Sequence, residues 1–457
     1  MQARCDSLFW LLPEFPADAA DVRRLCARFT HTNPAYAGAK EMGASTKGIE
    51  PELLLWQEKD GWFGFPRTAV HDLALQEGWV YTDLRSEGRA LRASEQVLKF
   101  RNGQQEAVAD TLFALLSVAN GTTLQADCGF GKTTCGVEVI RRLGRSTAVL
   151  VHKNFLATQW EDEVRTFIPE ARVGRIQGNQ LDTGDTHDVV ICMVQSLLAR
   201  DYPQEVFDTF GLLIADEVHR ASAPEWQRAA SMFPAKFRLG LTATPDRRDG
   251  LSSVFLSNFG EICHQGKAER LQPRLEVRNL SYPVDPSSYM MWRGGQRKPN
   301  VPKLINALVE RKDRTARILR DIRGAVEAGR RVLVLSHRLE HVDEFVRALA
   351  SDGVDVRKLV GGMTEAQQKY AADGDVIVGT FAMVQEGFDC PELDTLFLTT
   401  PQASVEQAVG RILRVSPDKK QPLVVDYVDH QVGICMGMFR ARSRTYTKLG
   451  IERRKAA

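Results

Sequence analysis

The sequence predicts an α/β protein made of two tandem parallel-sheet blocks behind a small N-terminal accessory domain. Strand and helix patterns alternate from about residue 97 to 265 and again from about 301 to 430, as in sheets covered by helices on both faces. A glycine-rich turn, Ala126-Asp-Cys-Gly-Phe-Gly-Lys-Thr133, joins a strand pattern to a helix pattern in the first block only. An apolar run, Leu212-Leu-Ile-Ala215, ends in two adjacent carboxylates, Asp216 and Glu217.

Taken in order, residues 1–95 carry four of the seven tryptophans, with 11 basic and 14 acidic residues. That composition suits a folded accessory domain and excludes a disordered basic arm. Asp83 to Ser94 reads as a polar linker. The first block, 96–270, offers strands at Leu124–Ala126, Thr147–His152, Arg172–Ile176, Asp188–Met193, Leu212–Ala215 and Phe237–Leu241. Between them lie helices such as Thr134–Leu143, with Val137, Ile140 and Leu143 on one face, and Phe155–Phe167. The Pro-, Gly- and Ser-rich stretch from Gln272 to Lys303 suits a connection. The second block, 271–457, reads as a long helix, Val301–Glu327, followed by strands at Val332–Ser336, Val354–Val360, Val376–Gly379, Thr395–Leu398 and Leu423–Val428. It has no phosphate loop, so a nucleotide is expected to sit between the two blocks.

The chemistry of the first block follows from residue types. A triphosphate needs inward-pointing backbone N–H groups, and Gly129 and Gly131 let the chain curl to supply them. Lys132 is placed to reach the β- and γ-phosphates and Thr133 to bind Mg²⁺. Ala126 stands where the usual pattern has glycine. Some 85 residues further on, Asp216 is placed to hold Mg²⁺ through water and Glu217 to polarise the attacking water. The pair makes a magnesium–ATP hydrolysis site.

Apolar content of 43% and charged content of 26% over 457 residues are those of a multidomain globular protein. A net charge of +2 neither favours nor opposes a polyanionic partner. The eight cysteines form no Cys-x-x-Cys pair, which points away from zinc and disulfide frameworks and towards a reduced intracellular, cytoplasmic setting. No apolar run reaches membrane-spanning length, and Phe9-Trp-Leu-Leu12 lacks the basic leader of a signal peptide.

Residues 97 to 445 resemble a superfamily 2 helicase. Arg101-Asn-Gly-Gln104 with Ala107 resembles the adenine-reading motif, which gives Gln104 the adenine edge. Val149-Leu-Val-His152 with Asn154 and Gln159-Trp160 resembles the motif that grips the nucleic-acid backbone, and Met193-Val-Gln-Ser-Leu197 its partner. The resemblance therefore assigns backbone contacts to Asn154, Gln195 and Ser196. Leu241-Thr-Ala-Thr-Pro245 resembles the coupling motif. Val378-Gly-Thr380 through Gln385-Glu-Gly-Phe-Asp389 resembles the motif touching both nucleic acid and nucleotide, with Thr380 on phosphate and Asp389 on ribose or the arginine fingers. Gln407-Ala-Val-Gly-Arg411-Ile-Leu-Arg414 resembles the finger motif; Arg411 and Arg414, three apart, are expected on one helix face toward the γ-phosphate.

This resemblance implies two RecA-like domains, ATP and Mg²⁺ as cofactors, and a monomer acting on nucleic acid. Asp-Glu-Val-His, Thr-Ala-Thr-Pro-x-Arg and Gln-Glu-Gly-Phe-Asp-x-Pro-Glu-Leu-Asp-Thr resemble the XPB and UvsW branch, DNA-directed enzymes that include prokaryotic and phage branch-migration helicases. It implies forked, branched or duplex DNA as substrate. The alternatives are the motor of a nuclease or restriction assembly and, third, an RNA helicase. Met436 to Tyr446 resembles the end of that branch and reads as a helix with an apolar and a basic face, the latter facing DNA or solvent. Residues 1–95 are expected to select DNA shape, and a chain starting near Glu95 is expected to fold and keep basal ATPase activity.

Overall fold

The computed structural model describes the chain apart from residues 42, 92–99, 101–102, 128, 217–222, 244–251, 267–270, 294–295, 386–389, 415, 417 and 454–457. Two compact units emerge, Met1–Ala268 and Glu269–Ala457.

The first unit is organised by an eight-stranded sheet. Its order from edge to edge is Gln180–Leu181, Val173–Gln177, Val189–Met193, Thr147–Val151, Leu212–Asp216, Phe237–Thr242, Gly121–Ala126 and Ile262–Gly266. All neighbours pair in parallel except the short Gln180–Leu181 edge. Thr147–Val151 and Leu212–Asp216 are buried along their whole length, because helices cover both faces of a parallel sheet. The expected strand positions agree to within a few residues.

Residues 1–83 form a second, five-stranded sheet in the order Gln57–Lys59, Trp62–Phe65, Phe9–Leu12, Gln2–Cys5, Thr82–Asp83. Its core of Phe9, Leu11, Val22, Leu25 and Phe65 includes Val254, which belongs to the main sheet's helix Ser252–Phe259. Two buried arginines tie the sheets together. Arg67 donates to the carbonyls of Ala235 at 2.6 Å and Lys236 at 3.1 Å. Arg238 donates to the carbonyls of Ser7 at 2.8 Å and Ala230 and Phe233 at 3.1 Å each. A buried guanidinium needs such acceptors around it, so each contact orders both sheets.

Residues 83–91 of the stretch expected as a polar linker form a hydrogen-bonded strap across the N-terminal ends of the central strands. Ser86 N–H donates to Pro234 O and Ser86 O accepts from Lys236 N–H, at 2.8 and 2.9 Å. Arg89 O accepts from Ser146 N–H at 2.7 Å, and the Arg89 side chain pairs with Asp188. Desolvation pushes the Asp188 carboxyl up, but hydrogen bonds from Arg172 and from Arg89 of the strap outweigh it and hold the group at about 2. At Gly88, φ is +64° and a Cβ would strike the backbone of Gly211, so only glycine allows the two chains to pass.

The second unit has a seven-stranded, all-parallel sheet in the order Val356–Leu359, Val376–Thr380, Val332–Ser336, Thr395–Leu398, Leu423–Asp429, Arg274–Leu280, Glu452–Arg453. Arg274–Leu280 lies inside the expected connection; it pairs along its full length with Leu423–Asp429. The same stretch holds a hairpin, Met290–Arg293 with Gln296–Pro299. The expected long helix is two, Val301–Val309 and Lys312–Glu327. Their apolar faces serve different cores: Leu304 and Leu308 pack with Tyr289 and Cys435, whereas Ile318 and Ile322 pack on Val334 and Phe345. Arg314, fully buried, then makes a two-pronged contact with Asp429 at 2.9 Å per bond.

The terminal helix, Gly433–Lys448, does not present all its arginines outward. Arg442 is buried and bonds both Asp426 oxygens, at 2.8 and 2.9 Å, while Tyr446 donates to the same carboxylate at 2.7 Å. Arg442 thus stitches the helix to the sheet.

Candidate nucleotide site

Strand Gly121–Ala126 feeds the chain into the glycine-rich turn, and helix Lys132–Leu143 leaves it. Gly129 and Gly131 have φ of +86° and +96°, the left-handed region in which successive N–H groups point into a concavity. A Cβ on Gly131 would also stand against the Gln105 side-chain amide, which would have to move. Lys132 is buried and donates to Ala126 O at 3.1 Å, which lays its ammonium along the turn. Gln105, also buried, donates to the carbonyl of Phe130. Its neighbour Gln104, expected to read adenine, lies exposed in the first turn of helix Gly103–Ala119. Cys135, in the helix leaving the turn, is pushed up to about 12 by burial.

Asp216 ends its strand almost fully buried, at 3% exposure. One helix, Asn154–Phe167, connects it to the phosphate turn. Trp160 donates its indole N–H to Asp216 Oδ2 at 2.9 Å, and the preceding Gln159 donates to Thr133 Oγ1 at 3.2 Å. Thr133 and Asp216, on separate elements, are thereby bonded to consecutive residues. The donor set fits a magnesium-bound triphosphate: a nest of N–H groups and an ammonium for the phosphates, with a hydroxyl and a carboxylate for the cation. Glu217 and Asp389 lie outside the described residues, as does Thr244 of the coupling motif; Thr242 is buried at its strand's end.

The residues expected on nucleic acid in the first unit gather at one end of the same sheet. Asn154 Oδ1 accepts from Arg175 and from Gln177 Nε2, both at 3.1 Å. Ser196 Oγ accepts from Gly178 N–H at 3.1 Å, and Gln195 Nε2 donates to His152 O at 3.1 Å. Arg175 had no sequence signal. Its guanidinium sits among Glu161, Asn154, Thr158 and Gln177. Gln159 and Trp160, grouped by resemblance with the backbone-gripping motif, bond Thr133 and Asp216.

In the second unit, Thr380 closes strand Val376–Thr380. Arg411 lies on helix Glu406–Ile412 and its Nε donates to Val384 O at 3.4 Å. Arg414 comes after the helix has ended, so the two arginines do not share a helix face.

Residues 97–247 match the family model described as the type III restriction enzyme, res subunit. The chain is 31% identical over 331 residues to protein L396 of Acanthamoeba polyphaga mimivirus, named as an ATP-dependent RNA helicase; the match covers 71% of this chain and 63% of that protein. It is 26% identical over 408 residues to QP509L of African swine fever virus, named in the same way, with 81% and 77% covered. Among solved structures, Dbp5 of S. cerevisiae bound to RNA and ADP BeF3 aligns with a TM-score of 0.51 and 15% identity over 77% of this chain and 88% of that one. That likeness concerns the fold, a pair of RecA-like domains. Among the described residues no helix is long and apolar enough to cross a membrane. The region around the phosphate turn is thus similar to a restriction-enzyme subunit family, the chain more widely to viral proteins named as helicases, and it spans less than two thirds of the length of the mimivirus relative.

Proposed function

We propose that this chain is an ATP-driven DNA helicase or translocase that remodels forked or branched DNA. The carrying observation is the joint hold of one helix on Thr133 and Asp216, which brings a cation-binding hydroxyl and carboxylate to one phosphate turn. Bound Mg²⁺ would neutralise charge on the β- and γ-phosphates. Lys132 binds the same phosphates, Thr133 and Asp216 hold the metal, and Glu217 orients the attacking water. Gln104 and Asp389 serve the nucleoside, and Arg411 and Arg414 serve as arginine fingers. Asn154, Gln195, Ser196 and Thr380 contact the backbone of the nucleic acid. The DNA assignment is supported by the branch-specific strings around Asp216, Thr242 and Asp389.

Two further readings have their own support. The names of the mimivirus and African swine fever virus relatives favour RNA. The family description of residues 97–247 favours the motor of a restriction assembly. ATPase stimulation by single-stranded, duplex, forked and four-way DNA and by RNA separates the nucleic acids: the proposal expects forked or four-way DNA to stimulate most, and preferential stimulation by RNA overturns it. A nuclease assay in Mg²⁺ addresses the assembly reading.

A further inference from the structure

We infer that Gln159 and Trp160 are positioning residues for the magnesium ion, acting through Thr133 and Asp216; this rests on reading the site as one for magnesium–nucleotide. Consecutive residues of a helix point about 100° apart, so the pair reaches two different elements. Exposed Gln159 turns toward helix Lys132–Leu143, and fully buried Trp160 turns inward toward strand Leu212–Asp216. Gln159 donates to the Thr133 hydroxyl oxygen, which directs that oxygen's second lone pair and leaves it able to bind a cation. Trp160 is a neutral donor. Its N–H fixes the Asp216 carboxylate without cancelling the charge the cation needs.

The indole is itself locked. A Cβ on Gly136 would lie 2.6 Å from the Trp160 ring, so helix Lys132–Leu143 carries glycine where the ring rests. One helix therefore sets the spacing between two metal ligands that are 83 positions apart in the sequence. Partners of this kind orient ligands, and losing one typically lowers metal affinity about 10–100-fold.

The test uses the full chain and methylanthraniloyl-ADP, whose binding is measured in EDTA and across a Mg²⁺ titration. Trp160→Phe keeps the ring and removes the N–H; Gln159→Met keeps the length and removes the amide. Both variants are expected to bind the probe in EDTA as the parent does, and to need at least about tenfold more Mg²⁺ for the magnesium-dependent gain in affinity. A parent-like Mg²⁺ requirement in either variant overturns its assignment. Equal loss in EDTA and in Mg²⁺ also overturns it, by showing a merely structural role. If Trp160→Phe does not fold, Gln159→Met decides, since its side chain is exposed. A parent protein whose probe binding ignores Mg²⁺ contradicts the magnesium–nucleotide reading instead.

Discussion

The strand ends of the two sheets differ in what they offer a ligand. In the first unit, the turn after Gly121–Ala126 is made of backbone, curled by two left-handed glycines. In the second, the turn after Val332–Ser336 is filled by side chains that satisfy one another. Ser336 Oγ bonds His341 at 3.0 Å, and His337 bonds Thr400 Oγ1 at 2.8 Å and packs on Phe381. Arg338 donates to Asn306 and to Pro302 O. Both sheets are parallel at their centres, and ligands favour the carboxyl ends of such strands. Among the described residues only the first has a glycine-curled turn of this kind there, so one fold used twice yields one candidate phosphate site.

The largest effects should come from removing the groups that act on phosphate. Lys132→Ala should abolish ATP turnover. Glu217→Gln should bind ATP but hydrolyse it orders of magnitude more slowly; near-normal turnover would refute the assigned base. For the second unit, Arg411→Ala and Arg414→Ala should each bind ATP and lose most nucleic-acid-stimulated hydrolysis. A finger is worth about 10³–10⁵ in rate, and a loss below about tenfold removes that arginine from the role.

A smaller effect tests the interior of the second unit. Arg314→Met leaves Asp429 buried without its guanidinium, which typically costs about 3–5 kcal/mol. Denaturant unfolding should show that loss, and an unchanged midpoint would mean the pair contributes nothing.

The smallest effect near neutral pH is a pH dependence. Burial, aided by Arg314 and Lys312, takes His341 from 6.5 down to about 3. Its neutral form is the folded one, so its contribution is complete above about 6.5 and is lost as pH falls toward 3. Stability should decline by up to about 1.4 kcal/mol per pH unit in that window. His341→Gln should flatten the slope; an equal slope in the variant would exclude His341 as its source.

The glycine-rich turn was legible in the sequence because it is a local feature: Gly129, Gly131, Lys132 and Thr133 are neighbours in the chain. The strand ending at Asp216 announced itself by an unbroken apolar run. Contacts between distant residues left no such trace. Gln159 meets Thr133 across 26 positions and Trp160 meets Asp216 across 56, and neither separation has a periodicity to read. Arg274–Leu280 was hidden by the prolines, glycines and serines after it, although its pairing with Leu423–Asp429 is complete. Arg89 lay in the expected polar linker and Arg442 in the helix whose basic face was expected to meet DNA or solvent, yet they bind Asp188 and Asp426. The accessory domain looked separable at Glu95, but Arg67, Arg238 and Val254 join its core to the main sheet. Truncation there would remove the Ser7 acceptor of Arg238 and the strap.

The most direct test of one site per chain is the stoichiometry of ADP binding in Mg²⁺, measured by equilibrium titration of the full chain and of Gly131→Ala. The contrast between the two sheets predicts one ADP per chain in the parent. It predicts none at the same concentrations in the variant, whose added methyl would strike Gln105 and force a left-handed backbone on alanine. Two ADP per chain, or one that survives Gly131→Ala, would contradict the account.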